Sequence, residues 1–217
     1  MKKDIEKLIH KLIQKIDSNP KVAKNYYELA EVLLDGHNYE QAEELLGKAR
    51  GLFKQQRDLD LIDYGLGNVY YSSGLYDKAI ATFSQIKNKK LANEINIMLA
   101  QTYYAKEEYQ KAFAYALTAF EKDTDNGDIL ELMGDIYFAL GQMSEAKNEY
   151  DEALKHKKTA KLLFNRGVIE MYLVKQNNNR FFDEAKKLDE KYFNAQKQRL
   201  IDIDKSMQAR NKKHGSK

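Results

Sequence analysis

The sequence predicts an all-α protein built as an array of antiparallel helix pairs. Apolar residues recur at i, i+3, i+4 and i+7, the period of a helix. Proline occurs once, and no window alternates with the period of a strand. An alanine that follows an aromatic residue or methionine by three positions recurs with spacings of 37, 33, 34 and 39 residues, at Tyr39/Ala42, Tyr76/Ala79, Tyr109/Ala112, Met143/Ala146 and Phe182/Ala185. This period indicates a solenoid of one repeated supersecondary motif.

The first predicted element is an amphipathic helix over Asp4–Asp17, within an N-terminal segment 1–21. Its apolar stripe lies opposite a lysine-rich face and consists of Ile5, Leu8, Ile9, Leu12, Ile13 and Ile16. Because the exposed end of a helical array needs a lid, we interpret this helix as a cap on the first repeat. A membrane-surface helix or a partner-binding helix stays an alternative.

Five helix pairs follow this cap. The first helices are predicted over Val22–Leu34, Leu59–Tyr71, Ala92–Tyr104, Ile129–Leu140 and Ala160–Val174. The second helices are predicted to begin near Tyr39, Tyr76, Tyr109, Ser144 and Phe182, after breaks at Gly36, Gly74, Lys106-Glu107, Gly141 and Asn177-Asn178-Asn179. The repeats therefore cover 22–58, 59–92, 93–126, 127–159 and a degenerate fifth at 160–191, and a C-terminal helix and basic tail cover 192–217.

Each predicted pair needs small residues where its two helices cross. Gly67 lies beside Leu66 on the inner face of its helix, and Ala30 takes the same position in the first repeat. Ala79 is expected to fill the complementary contact on the second helix. A bulky side chain at such a crossing costs about 1–3 kcal/mol by overpacking.

These features resemble the tetratricopeptide repeat, whose signature places Leu-Gly and Tyr on the first helix and Ala, an aromatic residue and Ala on the second. Four repeats carry it, through Tyr26, Leu29, Ala30, Tyr39, Ala42 and Ala49; Leu66, Gly67, Tyr70, Gly74, Tyr76, Ala79 and Phe83; Leu99, Ala100, Tyr103, Tyr109, Ala112 and Ala119; and Gly134, Tyr137, Gly141, Ala146, Tyr150 and Ala153. In the fifth, Gly167 and Ala185 fit only if about six residues are inserted near Asn177 to Arg180. Pro20 stands where the family closes a repeat, so the resemblance makes Asp4–Asp17 the second helix of a missing half-repeat.

The resemblance implies a right-handed superhelical solenoid whose concave face is lined by the first helices and binds an extended or helical segment of a partner. It assigns ten residues to a binding groove: Tyr27, Glu31, Tyr64, Asn68, Tyr71, Gln101, Tyr104, Glu131, Asp135 and Phe138. Leu34 and Ile97 complete the same register. The expected groove is an aromatic ladder with amides in the middle and carboxylates at both ends. Packing of the tyrosines against neighbouring helices stays the alternative.

The residues of the expected groove restrict its ligand. Repeats of this family that clamp a C-terminal carboxylate present Lys and Asn where Tyr27 and Glu31 stand, and Glu31 would repel a carboxylate. An acid-flanked groove favours a ligand with Lys or Arg, or an apolar segment with basic flanks.

Charge and composition exclude several function classes. The chain has 217 residues with 36 basic and 33 acidic side chains, a balance that argues against nucleic-acid and anionic-membrane partners. The basic excess lies in the last 21 residues, Lys197–Lys217. A capping helix is predicted over Tyr192–Met207 and a frayed tail over Gln208–Lys217. The absence of cysteine, of a signal peptide and of a long apolar span is consistent with a soluble protein of the cytoplasm.

No motif for chemistry stands out, so we expect no catalytic, cofactor-binding or metal-binding residues. The four histidines, at positions 10, 37, 156 and 214, form no i, i+4 pair. Gly65-Leu66-Gly67 lacks the third glycine of a dinucleotide fingerprint. The stretch Asp123–Asp128 has the wrong glycine position for a calcium loop and is interpreted as an inter-repeat turn with a helix N-cap.

The sequence therefore predicts a non-enzymatic protein-interaction module, an adapter or assembly scaffold. Two other classes stay open, namely a peptide-sensing regulatory subunit and a self-assembling structural protein in which one end helix docks into a neighbour. An enzyme is the class least supported by the residues.

Overall fold

The computed structural model describes residues 2–174 and 179–201, with side chains from Ile5 onward. All regular secondary structure in these ranges is helical, as predicted. The chain divides into two compact units between Lys122 and Asp123, here called unit 1 and unit 2. The part of the predicted capping helix that follows residue 201, and the predicted tail, lie outside the described residues.

Unit 1 contains a single helix followed by three helix pairs. Its helices are α1 Lys2–Ser18, α2 Ala23–Asp35, α3 Tyr39–Arg50, α4 Gln56–Ser72, α5 Tyr76–Gln85, a 3₁₀ turn Lys89–Leu91, α6 Ala92–Ala105 and α7 Tyr109–Phe120. The first helices α2, α4 and α6 follow one another as neighbours, since α2 contacts α4 and α4 contacts α6.

Unit 2 contains two helix pairs and a terminal helix. Its helices are α8 Gly127–Ala139, α9 Met143–His156, α10 Ala160–Val174 and α11 Arg180–Leu188, followed by helical residues 190–201, here α12. The predicted first helices are confirmed in both units, and the largest shift is α4, which begins three residues before the predicted Leu59.

Tight turns join the two helices of each of the first four pairs. The residue two before the second helix has positive φ in all four: His37 (58°), Gly74 (77°), Glu107 (62°) and Gly141 (77°). The same two hydrogen bonds close each turn; for example, the amide of Gly74 donates to Tyr71 O and the amide of Leu75 to Tyr70 O. In the first repeat the left-handed residue is therefore His37 and not the neighbouring Gly36, which the sequence marks as the break.

Small residues lie at the helix crossings as predicted, but the side chain opposite Gly67 is the ring of Phe83 and not the expected Ala79. A Cβ added to Gly67 would lie 2.4 Å from the ring of Phe83, and one added to Gly134 would lie 2.5 Å from the ring of Tyr150. Ala79 is fully buried between the helices of its pair. Because each glycine has no side chain, an aromatic ring of the second helix packs directly against the first helix at that point.

The fifth pair has a different register from the predicted one. A Cβ on Gly167 would meet the ring of Phe182 at 2.5 Å, so Phe182 takes the role of Phe83 and Tyr150. Fifteen residues separate Gly167 from Phe182, whereas sixteen separate Gly67 from Phe83. The contact at Gly167 therefore needs no insertion of six residues, which corrects the expected register. The second helix nevertheless begins later, since Arg180 is 13 residues after Gly167 and Met143 is nine after Gly134. The side chain of Asn179 caps the short helix α11 and also donates to Gly167 O at 3.0 Å, which fastens α11 to α10.

Helices at both ends cover the apolar cores of the two units. In unit 1, Leu12 of α1 is buried in the core formed by α2, α3 and α4, as expected for a cap. Only part of the predicted apolar stripe is buried against this core, because Ile5 (38% exposed), Leu8 (44%) and Ile13 (40%) stay exposed. In unit 2, Phe193 of α12 packs in one cluster with Phe164 and Phe182.

The turn before α8 is a helix cap, as predicted. Asn126 Oδ1 accepts hydrogen bonds from the amides of Asp128 (3.0 Å) and Ile129 (3.3 Å). Within the described ranges, no helix combines the length and apolar character that crossing a bilayer requires.

Candidate functional site

The first helices of unit 1 present one continuous surface. On each of them three residues, spaced four and then three apart, lie on one side of the helix. This surface, here the α2/α4/α6 face, comprises Tyr27, Glu31 and Leu34 of α2; Tyr64, Asn68 and Tyr71 of α4; and Ile97, Gln101 and Tyr104 of α6. Eight of the nine side chains are half-buried and Glu31 is exposed. The structure therefore brings the predicted groove residues of α2, α4 and α6 together on three adjacent helices, in the order α2, α4, α6.

The α2 end of this face joins two tyrosine rings to a carboxylate. The rings of Tyr27 and Tyr64 lie 6.1 Å apart, centroid to centroid, with an angle of 37° between their planes. Tyr27 Oη donates a hydrogen bond to Glu31 Oε1. Burial raises the pKa of the Tyr27 hydroxyl above its ordinary value, and the hydrogen bond to Glu31 raises it further. Tyr27 therefore stays protonated and fixes the position of the carboxylate.

The middle of the face carries amides and a buried acceptor. Burial raises the pKa of Tyr64, the charges of Glu94 and Glu31 add to this rise, and a hydrogen bond from Asn68 opposes it. The other end of that amide, Asn68 Oδ1, is buried without a hydrogen-bond partner among the described residues. An unsatisfied buried oxygen of this kind costs about 1–3 kcal/mol.

The far end of the face carries two tyrosines that also pack within their own repeats. Tyr71 lies 6.1 Å from Tyr76, and Tyr104 lies 5.7 Å from Tyr109, at the turns that join each helix pair. Both rings keep part of their surface exposed. Each ring therefore packs within its own repeat and keeps part of its surface exposed, and its role in binding stays a prediction.

The predicted groove residues of unit 2 have a different environment. Phe138 is half-buried and lies 6.4 Å from the exposed ring of Tyr172. Glu131 and Asp135 are 5% and 7% exposed, so they are buried and do not form an open acidic flank.

Lysines and other donors neutralise these two buried carboxylates. Glu131 accepts ion pairs from Lys157 at 2.6 Å and from Lys161 at 2.7 Å, and Lys161 lies 3.0 Å from Asp135. Asp135 also accepts from Tyr150 Oη at 2.6 Å. Burial alone would raise the pKa of Glu131, but the hydrogen bonds from the two lysines outweigh it and lower the pKa. The expectation of carboxylates available at both ends of a groove therefore fails at this end.

Two residues outside the predicted set shape these surfaces. Glu94, in the first turn of α6, acts on Tyr64, and Lys161, in the first turn of α10, holds Glu131 and Asp135. Both stand six residues before the small residue of their repeat, Ala100 and Gly167. The repeat register alone could have identified them, because that position faces the preceding repeat.

Comparisons with known proteins agree with this architecture. Residues 27–93 match the family model described as a tetratricopeptide repeat, and residues 83–178 match the one described as a tetratricopeptide repeat-like domain. No protein of curated function matches the chain significantly.

Solved structures of similar fold share little sequence with the chain. YrrB, described as a TPR protein with an unusual peptide-binding site, is 20% identical with a TM-score of 0.57, over 87% of this chain and 97% of that one. TTC0263, a thermophilic TPR protein of Thermus thermophilus, is 14% identical with a TM-score of 0.66, over 84% and 99%. The pilF protein of Pseudomonas aeruginosa is 15% identical with a TM-score of 0.69, over 92% and 91%. At these identities the likeness shows the fold alone.

Proposed function

Because this chain belongs to the tetratricopeptide repeat family, we propose that it is a protein-interaction module whose α2/α4/α6 face binds a peptide or helical segment of a partner protein. Proteins of this family generally act as non-enzymatic interaction modules, and an adapter or assembly scaffold is the role that we assign to this one. The observation that carries the proposal is the series of partly exposed aromatic and amide side chains on three adjacent helices. Tyrosine buries a large area at low entropic cost, and amides hydrogen-bond a peptide backbone.

The composition of the face suggests the chemistry of the bound segment. Glu31 and Glu94 are exposed and take part in no ion pair among the described residues of unit 1. Leu34 and Ile97 add apolar area on the outer helices of the face. We therefore expect a segment that combines apolar side chains with lysine or arginine.

The peptide-binding site named for YrrB supports the proposal only as a precedent on the same fold. The likeness carries no information about the sequence of the peptide. The prediction of a cytoplasmic location stays a prediction from the sequence.

A peptide-selection experiment tests the proposal. A random peptide library displayed on phage is selected against the full chain, and the affinities of the enriched peptides are measured by calorimetry. The variant Tyr71→Ala/Tyr104→Ala should weaken them about tenfold or more, because truncation of an interface tyrosine costs about 1–2 kcal/mol or more.

The matched control is Tyr39→Ala/Tyr115→Ala, which removes the same two side chains from the second helices α3 and α7. Circular dichroism verifies that both variants are folded. Equal affinity for wild type and the Tyr71→Ala/Tyr104→Ala variant, or equal loss in the two variants, would refute binding at this face.

A further inference from the structure

Unit 2 shows how this fold holds a cation on the first helices. Lys161 Nζ lies 2.7 Å from Glu131 Oε1 and 3.0 Å from Asp135 Oδ2, and burial of the two carboxylates makes this ion pair part of the structure. Glu131 and Asp135 occupy on α8 the positions that Tyr27 and Glu31 occupy on α2, and that Tyr64 and Asn68 occupy on α4. The following repeat supplies the lysine, from the first turn of its first helix.

Unit 1 carries no cation at the two positions that are equivalent to Lys161. Leu61 and Glu94 stand where Lys161 stands, six residues before the small residue of their repeats. An apolar and an acidic side chain thus replace the lysine. Glu31 accepts a hydrogen bond from Tyr27, whose ring lies 6.1 Å from the ring of Tyr64. Burial is the main cause of the raised pKa of Tyr64, and the charges of Glu94 and Glu31 add to it.

The side chains around this point are those that recognise an organic cation. The rings of Tyr27 and Tyr64, 6.1 Å apart, offer faces to which a cation is attracted. Glu31 and Glu94 offer negative charge that no lysine or arginine of the described chain neutralises. Asn68 Oδ1, on the same helix as Tyr64, is buried without a partner among the described residues.

We infer that Tyr27, Tyr64, Glu31 and Glu94 form a subsite for the cationic side chain of a bound peptide, lysine or arginine, in the place where unit 2 carries its own Lys161. The inference rests on the proposed function, since it names the side chain that the α2/α4/α6 face selects. The inference adds Glu94 to the binding surface. In unit 2 the corresponding carboxylates are paired with Lys161, whereas in unit 1 the carboxylates are left for a cation of the partner.

Small cationic probes test the subsite without any peptide ligand. Nα-acetyl-arginine amide is titrated into the full chain, and the ring resonances of Tyr27 and Tyr64 are followed by NMR. The matched neutral probe is Nα-acetyl-citrulline amide, which has nearly the same shape without the charge. We expect the arginine probe to shift these resonances saturably, and the citrulline probe to bind with an affinity about tenfold lower.

A charge-matched pair of variants locates the effect. Glu31→Gln/Glu94→Gln should weaken the arginine probe about tenfold. The control Glu40→Gln/Glu121→Gln removes two exposed carboxylates, one in α3 and one at the end of α7, and should leave binding unchanged. Equal binding of the two probes, equal loss in the two variants, or no shift of the two tyrosines would overturn the subsite.

Failure of the subsite is distinguishable from failure of the proposed function. Peptides that bind the face without an enriched basic residue, and with no response to Glu31→Gln/Glu94→Gln, would keep the proposed function and overturn the subsite. A library that yields no binding peptide would refute the proposed function, and the probe titration would still decide whether the cation site exists.

Discussion

Replacement of Gly67 by alanine tests the packing on which every helix pair depends. A Cβ at this position would lie 2.4, 2.7 and 2.7 Å from three ring atoms of Phe83, which is fully buried. Overpacking of this kind costs about 1–3 kcal/mol, whereas alanine in place of glycine in a helix interior contributes about 1 kcal/mol. Because the ring is fully buried, we expect the overpacking to outweigh the gain in helix propensity, and Gly67→Ala to lower the free energy of unfolding by about 1 kcal/mol.

A second substitution provides the rescue. The first repeat pairs Ala30 with the smaller Leu46 across the same sixteen-residue interval. Phe83→Leu alone should cost about 1–2 kcal/mol of apolar burial and packing. The double variant Gly67→Ala/Phe83→Leu recreates the combination of the first repeat, so we expect a favourable coupling of about 1–2 kcal/mol between the two substitutions.

Urea unfolding followed by circular dichroism measures all four members of this cycle. The matched control is Gly47→Ala in α3, where an added Cβ meets nothing within 4 Å. The control should raise the free energy of unfolding by about 0.5–1 kcal/mol through helix propensity. A Gly67→Ala variant that is stabilised like the control, or a cycle that is additive within about 0.5 kcal/mol, would refute the reasoning.

Two further stability predictions concern a turn and a buried ion pair. Glu107→Gly should raise the free energy of unfolding by about 0.5–1 kcal/mol, because Glu107 has a φ of 62°. Gly74→Ala should lower the free energy of unfolding by about 1 kcal/mol, because Gly74 has a φ of 77°. Thermal melts of both variants test these two values. Glu131→Gln should cost about 1.5–3 kcal/mol at pH 7, since Lys157 and Lys161 would lose a buried charged partner. Because the pKa of Glu131 is lowered on folding, its stabilisation is present above the unfolded value of about 4.3 and is lost as the pH falls through the folded pKa. Urea unfolding of wild type and variant should therefore converge at low pH, and a constant difference from pH 7 to pH 3 would contradict this account.

The helix pairs were predictable because the alanines that define the repeat spacing are also the residues buried where the two helices cross. The anchor alanines Ala42, Ala79, Ala112 and Ala146 are all fully buried at the crossings where the period places them. Gly67 and Gly134 mark helix crossings in the sequence, whereas the aromatic rings that fill these crossings, Phe83 and Tyr150, are known only from the structure. Local periodicity was therefore sufficient for the order of the helices and for most of their ends.

The fifth repeat shows where the same signal becomes ambiguous. In a complete second helix two alanines stand seven residues apart, as Ala146 and Ala153 do, and both lie on the buried side. Ala185 matches the first of them by its neighbours in sequence and the second by its contacts. Two turns of helix separate these assignments, and only the contact between Gly167 and Phe182 distinguishes them.

The charge state of the site was the least predictable property. The sequence predicts Glu131 and Asp135 as open carboxylates, but in the structure they are buried and paired with lysines, and Lys161 lies 26 residues or more away in the sequence. Helical periodicity relates residues three or four apart and contains no information about such partners. The repeat register does relate them, since it brings the first turn of one first helix against the middle of the preceding one.

The central claim is that unit 1 binds a peptide on its first helices, and NMR mapping tests it most directly. A selected peptide carrying a spin label is added to the uniformly labelled chain, and the loss of amide signal is followed along each helix. The account predicts that the loss is concentrated in α2, α4 and α6, including the amides of Tyr27, Asn68 and Gln101. Signal loss concentrated in the second helices α3, α5 and α7 would contradict it and would place the binding surface on the opposite side of unit 1.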